Sequence, residues 1–262
     1  MVDHFATTGW KIFPPEAALR DWATCARRDA LRAVDDPGMA DWHQCQGTWF
    51  VGLDSLDNDK RGRVAGSAPL GGRAVDYIAA HCGGWPALHR AQLSVIYPGY
   101  PRPRAGETEP GFRYRLNRDA AHVDGVIGEG QPKRRYLREP HQFILGLPLS
   151  MANARAAPLV VWEGSHKILA QAFQRAVAGH AATGLHQLDI TDAYVAARKK
   201  VFETCKRVII HGPPGSAYLI HRMALHGVAP WGKGASAAPE GRMIAYFRPE
   251  MPGGINAWLT AP

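Results

Sequence analysis

216-SAYLIHRMALHGVAPWGKG-234 opens on a short apolar run, SAYLIH, and then gives way to glycine, proline and tryptophan. The run reads as a strand bounded by turn formers. His226 follows in Leu-His-Gly-Val, at a strand end, where Gly227 permits close approach of another backbone. His221 stands five residues earlier. On one unbroken strand, period-two alternation places these two imidazoles on opposite faces.

Segments of the same kind lie to both sides. They are 91-AQLSVIY-97, 142-QFILGLPL-149, 158-PLVVW-162, 207-RVIIH-211 and 242-RMIAYFR-248. The front of the chain differs. Residues 5–13 read as a short strand, and Pro14 and Pro15 sit where a helix can start. Over 16–34, Leu19, Trp22, Ala26, Ala30 and Val34 recur at helical spacing, with Arg20, Arg27 and Arg28 mostly off that stripe. Residues 48–53 read as a strand, and 73–82 as a short helix stopped by Gly83 and Gly84. Further helices are expected near 168–178 and 192–204. Helices first, then many short strands with helical insertions, predict a mainly β, α+β chain. Its core is a β-sandwich or jelly roll with flanking helices.

The 262 residues suit one large domain. With 46% hydrophobic residues the chain is globular, and 28 Gly with 20 Pro fit a turn-rich β protein. No apolar stretch approaches the roughly 20 residues of a spanning helix. The opening MVDHFATTGWKIFPP lacks the basic and apolar regions of a secretory signal. Cys25, Cys45, Cys82 and Cys205 form no C-x-x-C pair, which removes zinc-ribbon and thioredoxin readings. A reducing cytoplasm is the expected compartment. The net charge of +8 admits nucleic acid, an anionic membrane or a small anionic substrate, or solubility alone. The glycine-rich 212-GPPGS-216 lacks the lysine of a phosphate loop. No repeat or heptad run is present.

The segment 119-DAAHVDGV-126 carries the chemistry. On a strand, His122 and Asp124 present an imidazole and a carboxylate on one face, and Gly125 frees the backbone to turn away. An H-x-D alone also reads as a histidine hydrogen-bonded to an aspartate on a strand edge. A site of two histidines and one carboxylate needs a further imidazole from a distant strand. His226 is preferred for it, with His221 structural or supporting. Arg242 opens a strand 16 residues beyond His226 and is a candidate anchor for a carboxylate. Arg248 lies on the same face by alternation and is the alternative; either also reads as a solvated strand-edge arginine.

The order of H-x-D, 157-APLVVWEGSHK-167, the far His-Gly and an arginine on the next strand resembles one family. This is the phytanoyl-CoA dioxygenase-like branch of the iron(II)/2-oxoglutarate-dependent oxygenases. Pro158-Leu159 and Gly164-Ser165-His166-Lys167 match its G-P-L and G-S-H-K pieces, with Ala157 where glycine is usual. The resemblance spans roughly residues 5–248 and implies a double-stranded β-helix, the cupin-like jelly roll. It implies an N-terminal strand-helix region of about 1–90, a core of about 91–250 and a tail at 251–262. By this resemblance His122, Asp124 and His226 hold Fe(II), and Arg242 binds the far carboxylate of 2-oxoglutarate. Gln92 is a candidate to face the cofactor, and His166 belongs to a structural turn.

The activity so implied is a dioxygenase that uses O2 to hydroxylate an unactivated C–H bond, releasing succinate and CO2. Related halogenases replace the carboxylate ligand with Gly or Ala; Asp124 favours hydroxylation, or demethylation through a hydroxylated carbon. Residues 101–140 hold nine Lys or Arg against six acids. They form either a lip steering an anionic small substrate or a solvated loop of internal ion pairs. The loop with Lys133, Arg134, Arg135 and Tyr136 is the main candidate for a lid. A macromolecular substrate, nucleic acid or protein, is the second reading, although no basic stripe with interleaved aromatics stands out. A non-catalytic metal-binding jelly roll is the third. Oligomeric state is not legible.

Overall fold

The computed structural model describes residues 4–82 and 84–261. Gly83, half of the expected helix stop, lies outside them, as do the first three residues of the N-terminal stretch. Helix α1 (His4–Thr8) leads into strand β1 (Trp10–Phe13), helix α2 (Ala17–Asp35), and the short strands β2 (His43–Gln44) and β3 (Trp49–Gly52). Then come α3 (Arg73–His81), β4 (Gln92–Ile96), α4 (Glu109–Asn117), β5 (Val126–Glu129) and β6 (Arg134–Leu137). Strands β7 (Phe143–Pro148) and β8 (Leu159–Trp162) precede α5 (Ser165–Val177) and α6 (Thr191–Thr204). The chain closes with β9 (Arg207–Ile210), β10 (Ala217–His221), β11 (His226–Val228), β12 (Arg242–Phe247) and α7 (Gly254–Thr260).

The expected strand at 5–13 is therefore half helix. Gly9, at φ +80°, separates the two pieces, and its N–H donates to the carbonyl of Phe5. That left-handed conformation is one glycine adopts without strain.

Two antiparallel sheets face each other. The larger runs β1-β10-β7-β12-β4-β3-β2 and the smaller β11-β8-β9. This is a double-stranded β-helix flanked by helices. Alternation along the strands sorts the apolar residues into three layers. Ile144, Leu159, Val161, Tyr218, Ile220 and Ile244 meet between the sheets. Leu145, Leu147, Leu219, Met243, Ala245 and Phe247 point outward and pack under α2 and α3. Val160 and Trp162 face α5, α6 and α7 on the other side. Strands β7, β8, β10 and β12 are thus covered on both faces, so they read as near-continuous apolar runs. The register sets Arg242 opposite Ile96 and Tyr246 opposite Gln92.

His221 and His226 do not share a strand. The chain leaves the large sheet at His221, turns, and enters the small sheet at His226, which pairs with Val161.

Candidate metal centre

His122 sits in no extended strand. It forms an isolated antiparallel bridge to His226, and the expected strand resumes only at Val126. Gly125, at φ +85°, provides the turn between them. A Cβ there would meet the Glu139 carbonyl at 2.2 Å, so the position has room for glycine alone. Asp119 and Ala120 just before the bridge are also left-handed, at φ 54° and 53°. The two Nη/Nε bonds from Arg207 to the Asp119 carboxylate, both 2.8 Å, hold that turn in place.

The bridge brings the two imidazoles to a ring separation of 4.6 Å. In each ring Nδ1 lies 3.0 Å from the carbonyl two residues earlier, Ala120 for His122 and Ala224 for His226. A carbonyl only accepts, so Nδ1 carries a proton in each ring and Nε2 is the nitrogen that a metal would take. Both Nε2 atoms turn to Asp124 Oδ1, at 3.1 Å and 3.6 Å. The three ligand atoms lie within 4.8 Å of one another. Two imidazole nitrogens and one carboxylate oxygen are the donor set suited to a first-row divalent metal with open positions. The Nδ1 anchors are the outer contacts that orient such ligands.

Asp124 is nearly buried, and burial alone would raise its pKa. The His226 and His122 contacts and the Arg248 charge outweigh it and hold the carboxyl well below its ordinary range. It is an anion ready for a cation.

The triad opens into a cavity of about 250 Å³. Ile144, Leu159 and Ile220 form its apolar floor, while Trp49, Tyr100 and Tyr246 supply aromatic walls. Gln92 and Ser94 add polar groups from β4. Gln92 therefore stands in the same cavity as the three expected ligands, and its Oε1 accepts from Arg248 Nη2.

Arg242, which opens β12, and Arg248, just past its end, are placed apart. Arg242, 5% exposed, lines a small separate cavity with Ser150, His211, Tyr218 and Ile244, with room for about one water. Its Nη1 is buried without a hydrogen-bond partner. Arg248 lines the metal cavity itself, with Nη1 3.4 Å from Asp124 Oδ2.

No residue of 126–140 lines the metal cavity. Residues 126–137 form the β5–β6 hairpin, and several basic residues of 101–140 have acidic partners. Arg115 binds Glu107 and Arg138 binds Glu129, each at 2.6 Å, and Arg134 lies 3.6 Å from Asp189. The internal-pair reading holds for these residues, and the hairpin forms no lip on the triad's cavity. The cavity is instead lined further by Val51, Ala120 and Val228. Sequence reasoning passed over Trp49, Tyr100 and Tyr246. Aromatic residues on apolar strands carry no mark that separates cavity wall from core.

His166 and His221 lie elsewhere. Their rings lie 4.7 Å apart, tilted by 43°, beside a larger cavity of about 400 Å³ on the outer face of the big sheet. No carboxylate lines it among the described residues, so it lacks a metal donor set.

No helix among the described residues is long and apolar enough to cross a membrane. No protein-family model matches the chain, and no curated protein matches it. Among solved structures it is similar to AviO1 from Streptomyces viridochromogenes Tue57, at 15% identity and a TM-score of 0.48, over 95% of this chain and 94% of that one. It is similar to EvdMO1 at 12% identity and a TM-score of 0.49, over 94% of this chain and 48% of that one. It is also similar to HygX from Streptomyces hygroscopicus, solved with nickel, 2-oxoglutarate and hygromycin B, at 15% identity and a TM-score of 0.44. That match covers 94% of this chain and 84% of HygX. At such identities and scores the chemistry has to be argued from the chain's own side chains.

Proposed function

We propose that the chain, acting as one domain over 1–262, is an Fe(II)- and 2-oxoglutarate-dependent oxygenase. It hydroxylates an unactivated C–H bond of a small organic molecule with release of succinate and CO2, as the phytanoyl-CoA dioxygenase-like resemblance implies. The observation that carries this is the pair of imidazoles anchored by their Nδ1 contacts, with both Nε2 atoms converging on Asp124 at a cavity. When bound, iron and the keto acid supply the oxidant that the protein itself lacks.

The chain's own residues do the rest. His122, Asp124 and His226 would hold the metal through two imidazoles and one carboxylate. Arg242, buried with an unpartnered Nη1, takes the far carboxylate of 2-oxoglutarate as a bidentate anchor. It shares the inward face of β12 with Tyr246, which lines the metal cavity, and Gln92 faces the same cavity from β4. Ile144, Leu159 and Ile220 keep water from the reacting region. A cavity of about 250 Å³ suits a small molecule rather than a macromolecular segment. The presence of Asp124 leaves no ligand position for a halide and supports hydroxylation. Purified protein given Fe(II) and 2-oxoglutarate is expected to release succinate slowly without substrate, and faster when a metabolite screen finds the substrate. The reading fails if His122→Ala and Asp124→Ala leave iron binding and succinate formation unchanged.

A further inference from the structure

Arg248 is the unused cation of the metal cavity. Its Nη1 faces Asp124 Oδ2 and its Nη2 donates to Gln92, but its Nε is buried with no hydrogen-bond partner. Two residues earlier on the same strand face, the Tyr246 hydroxyl is likewise buried without one. Both side chains line the same cavity as the triad. Two unsatisfied donors on side chains that line one cavity call for an oxygen acceptor, because a buried donor left unpaired carries its full desolvation cost.

The charge around Arg248 points the same way. Its one carboxylate neighbour is Asp124, which is committed to the metal under the proposed function. Arg242 lies in a different cavity at the other end of β12, so the far carboxylate of one 2-oxoglutarate meets one guanidinium and not the other. The remaining guanidinium stands beside the metal with a free Nε, and a guanidinium edge recognises a planar carboxylate.

On this ground, and resting on the oxygenase reading above, we infer that the substrate is a small organic carboxylate. Arg248 Nε and the Tyr246 hydroxyl hold its carboxylate, and its apolar part lies against Trp49, Tyr100 and Val228. The anionic group is thus recognised inside the cavity, not by the paired arginines of the β5–β6 hairpin.

The test uses acid–amide pairs as probes: phenylacetate with phenylacetamide, benzoate with benzamide, butyrate with butyramide. Each is titrated calorimetrically, without oxygen, into full-length protein loaded with Fe(II) and 2-oxoglutarate. In the wild type at least one acid is expected to bind about tenfold more tightly than its amide, a difference within reach of one charge-assisted contact. Arg248→Gln is expected to erase that preference, and Arg248→Lys to keep part of it. Retained Fe(II) and 2-oxoglutarate binding in each Arg248 variant guards against a general loss of folding. 2-Oxoglutarate affinity is expected to fall in Arg242→Gln while the acid preference of the probes survives there. The inference is overturned if no pair discriminates in the wild type, or if the preference survives Arg248→Gln. It is also overturned if Arg248→Gln lowers 2-oxoglutarate affinity as far as Arg242→Gln does, since Arg248 is then the co-substrate anchor. A wild type that takes up neither iron nor 2-oxoglutarate defeats the oxygenase reading itself, an outcome distinct from the other three.

Discussion

His122 and His226 are joined backbone to backbone: the N–H of His122 donates to the His226 carbonyl at 2.8 Å, and the N–H of His226 returns a bond of 3.0 Å. The spacing of the two imidazoles is therefore set by main-chain pairing, with no metal needed to draw them together. Preorganised ligands lose little freedom when a metal arrives. Substituting His122, Asp124 or His226 by Ala should leave the fold in place and lower Fe(II) affinity by more than about 100-fold, the upper range for losing an outer partner alone. Metal titration with circular dichroism checks both halves of that statement.

Arg242→Gln should weaken 2-oxoglutarate binding by about tenfold or more while Fe(II) affinity is kept, because the residue lines no part of the triad's cavity. Calorimetry on the metal-loaded protein measures it. The same loss from Arg248→Gln, with none from Arg242→Gln, would move the anchor to the other end of β12.

Gly227 follows His226 where two backbones nearly touch. A Cβ there would lie 2.2 Å from the Asp119 carbonyl and 3.2 Å from Ala121 Cα. Backbone cannot swing aside as a side-chain tip can, so Gly227→Ala should cost about 3 kcal/mol or more, at or above the usual range for overpacking. Urea unfolding measures the loss, and metal affinity should fall with it because the bridge to His122 is displaced.

His221 predicts a pH dependence. Burial first, and then the adjacent His166 and Arg222, hold its ring well below the ordinary 6.5 in the folded chain. The unfolded chain protonates that ring as pH drops through about 6.5. Below that pH the unfolded state binds a proton that the folded state does not, so stability falls. Burial lowers His166 too, which adds in the same direction. His221 Nδ1 accepts from the Met223 N–H at 3.1 Å, and an Asn side chain can keep an acceptor there. His221→Asn should therefore flatten the fall of Tm between pH 7 and 5, as read by calorimetric scans.

Phe247 alternates with Tyr246 and Arg248 and so faces away from the cavity. It is fully buried, 6.1 Å from Trp22 between ring centres. Phe247→Ala should cost about 3–5 kcal/mol and leave Fe(II) affinity within about threefold, since it touches no ligand. Chemical denaturation and metal titration together check it.

Much of this was legible in the sequence. The apolar runs marked the core strands because each is buried on both faces, and the H-x-D with a distant His-Gly named three residues that the fold does bring together. What was not legible has physical reasons. His221 and Arg222 interrupt the apolar segment from Ala217 to Val228, but neither is a turn former, so nothing in it marked the crossing from one sheet to the other. The expected strand at His122 is a single bridge, yet His122 and Asp124 still meet, because Gly125 closes the turn tightly behind them. Alternation put Arg242 and Arg248 on one face of β12 but could not tell which end of the strand the metal occupies. The basic stretch around the H-x-D was misleading in density: charges such as Arg115 and Arg138 had acidic partners eight and nine residues away.

Arg207 sits at the start of β9, on the outer edge of the small sheet, with its side chain 42% exposed. Through both carboxylate oxygens it grips Asp119, which is itself buried. The turn that presents His122 is thus moored to a point on the molecular surface. Changes at that surface position can retune the metal centre at a distance, tightening or loosening its grip without altering a ligand. For an engineer it is a handle on the site from outside, and for the cell a place where a surface modification or a bound neighbour would be felt at the metal.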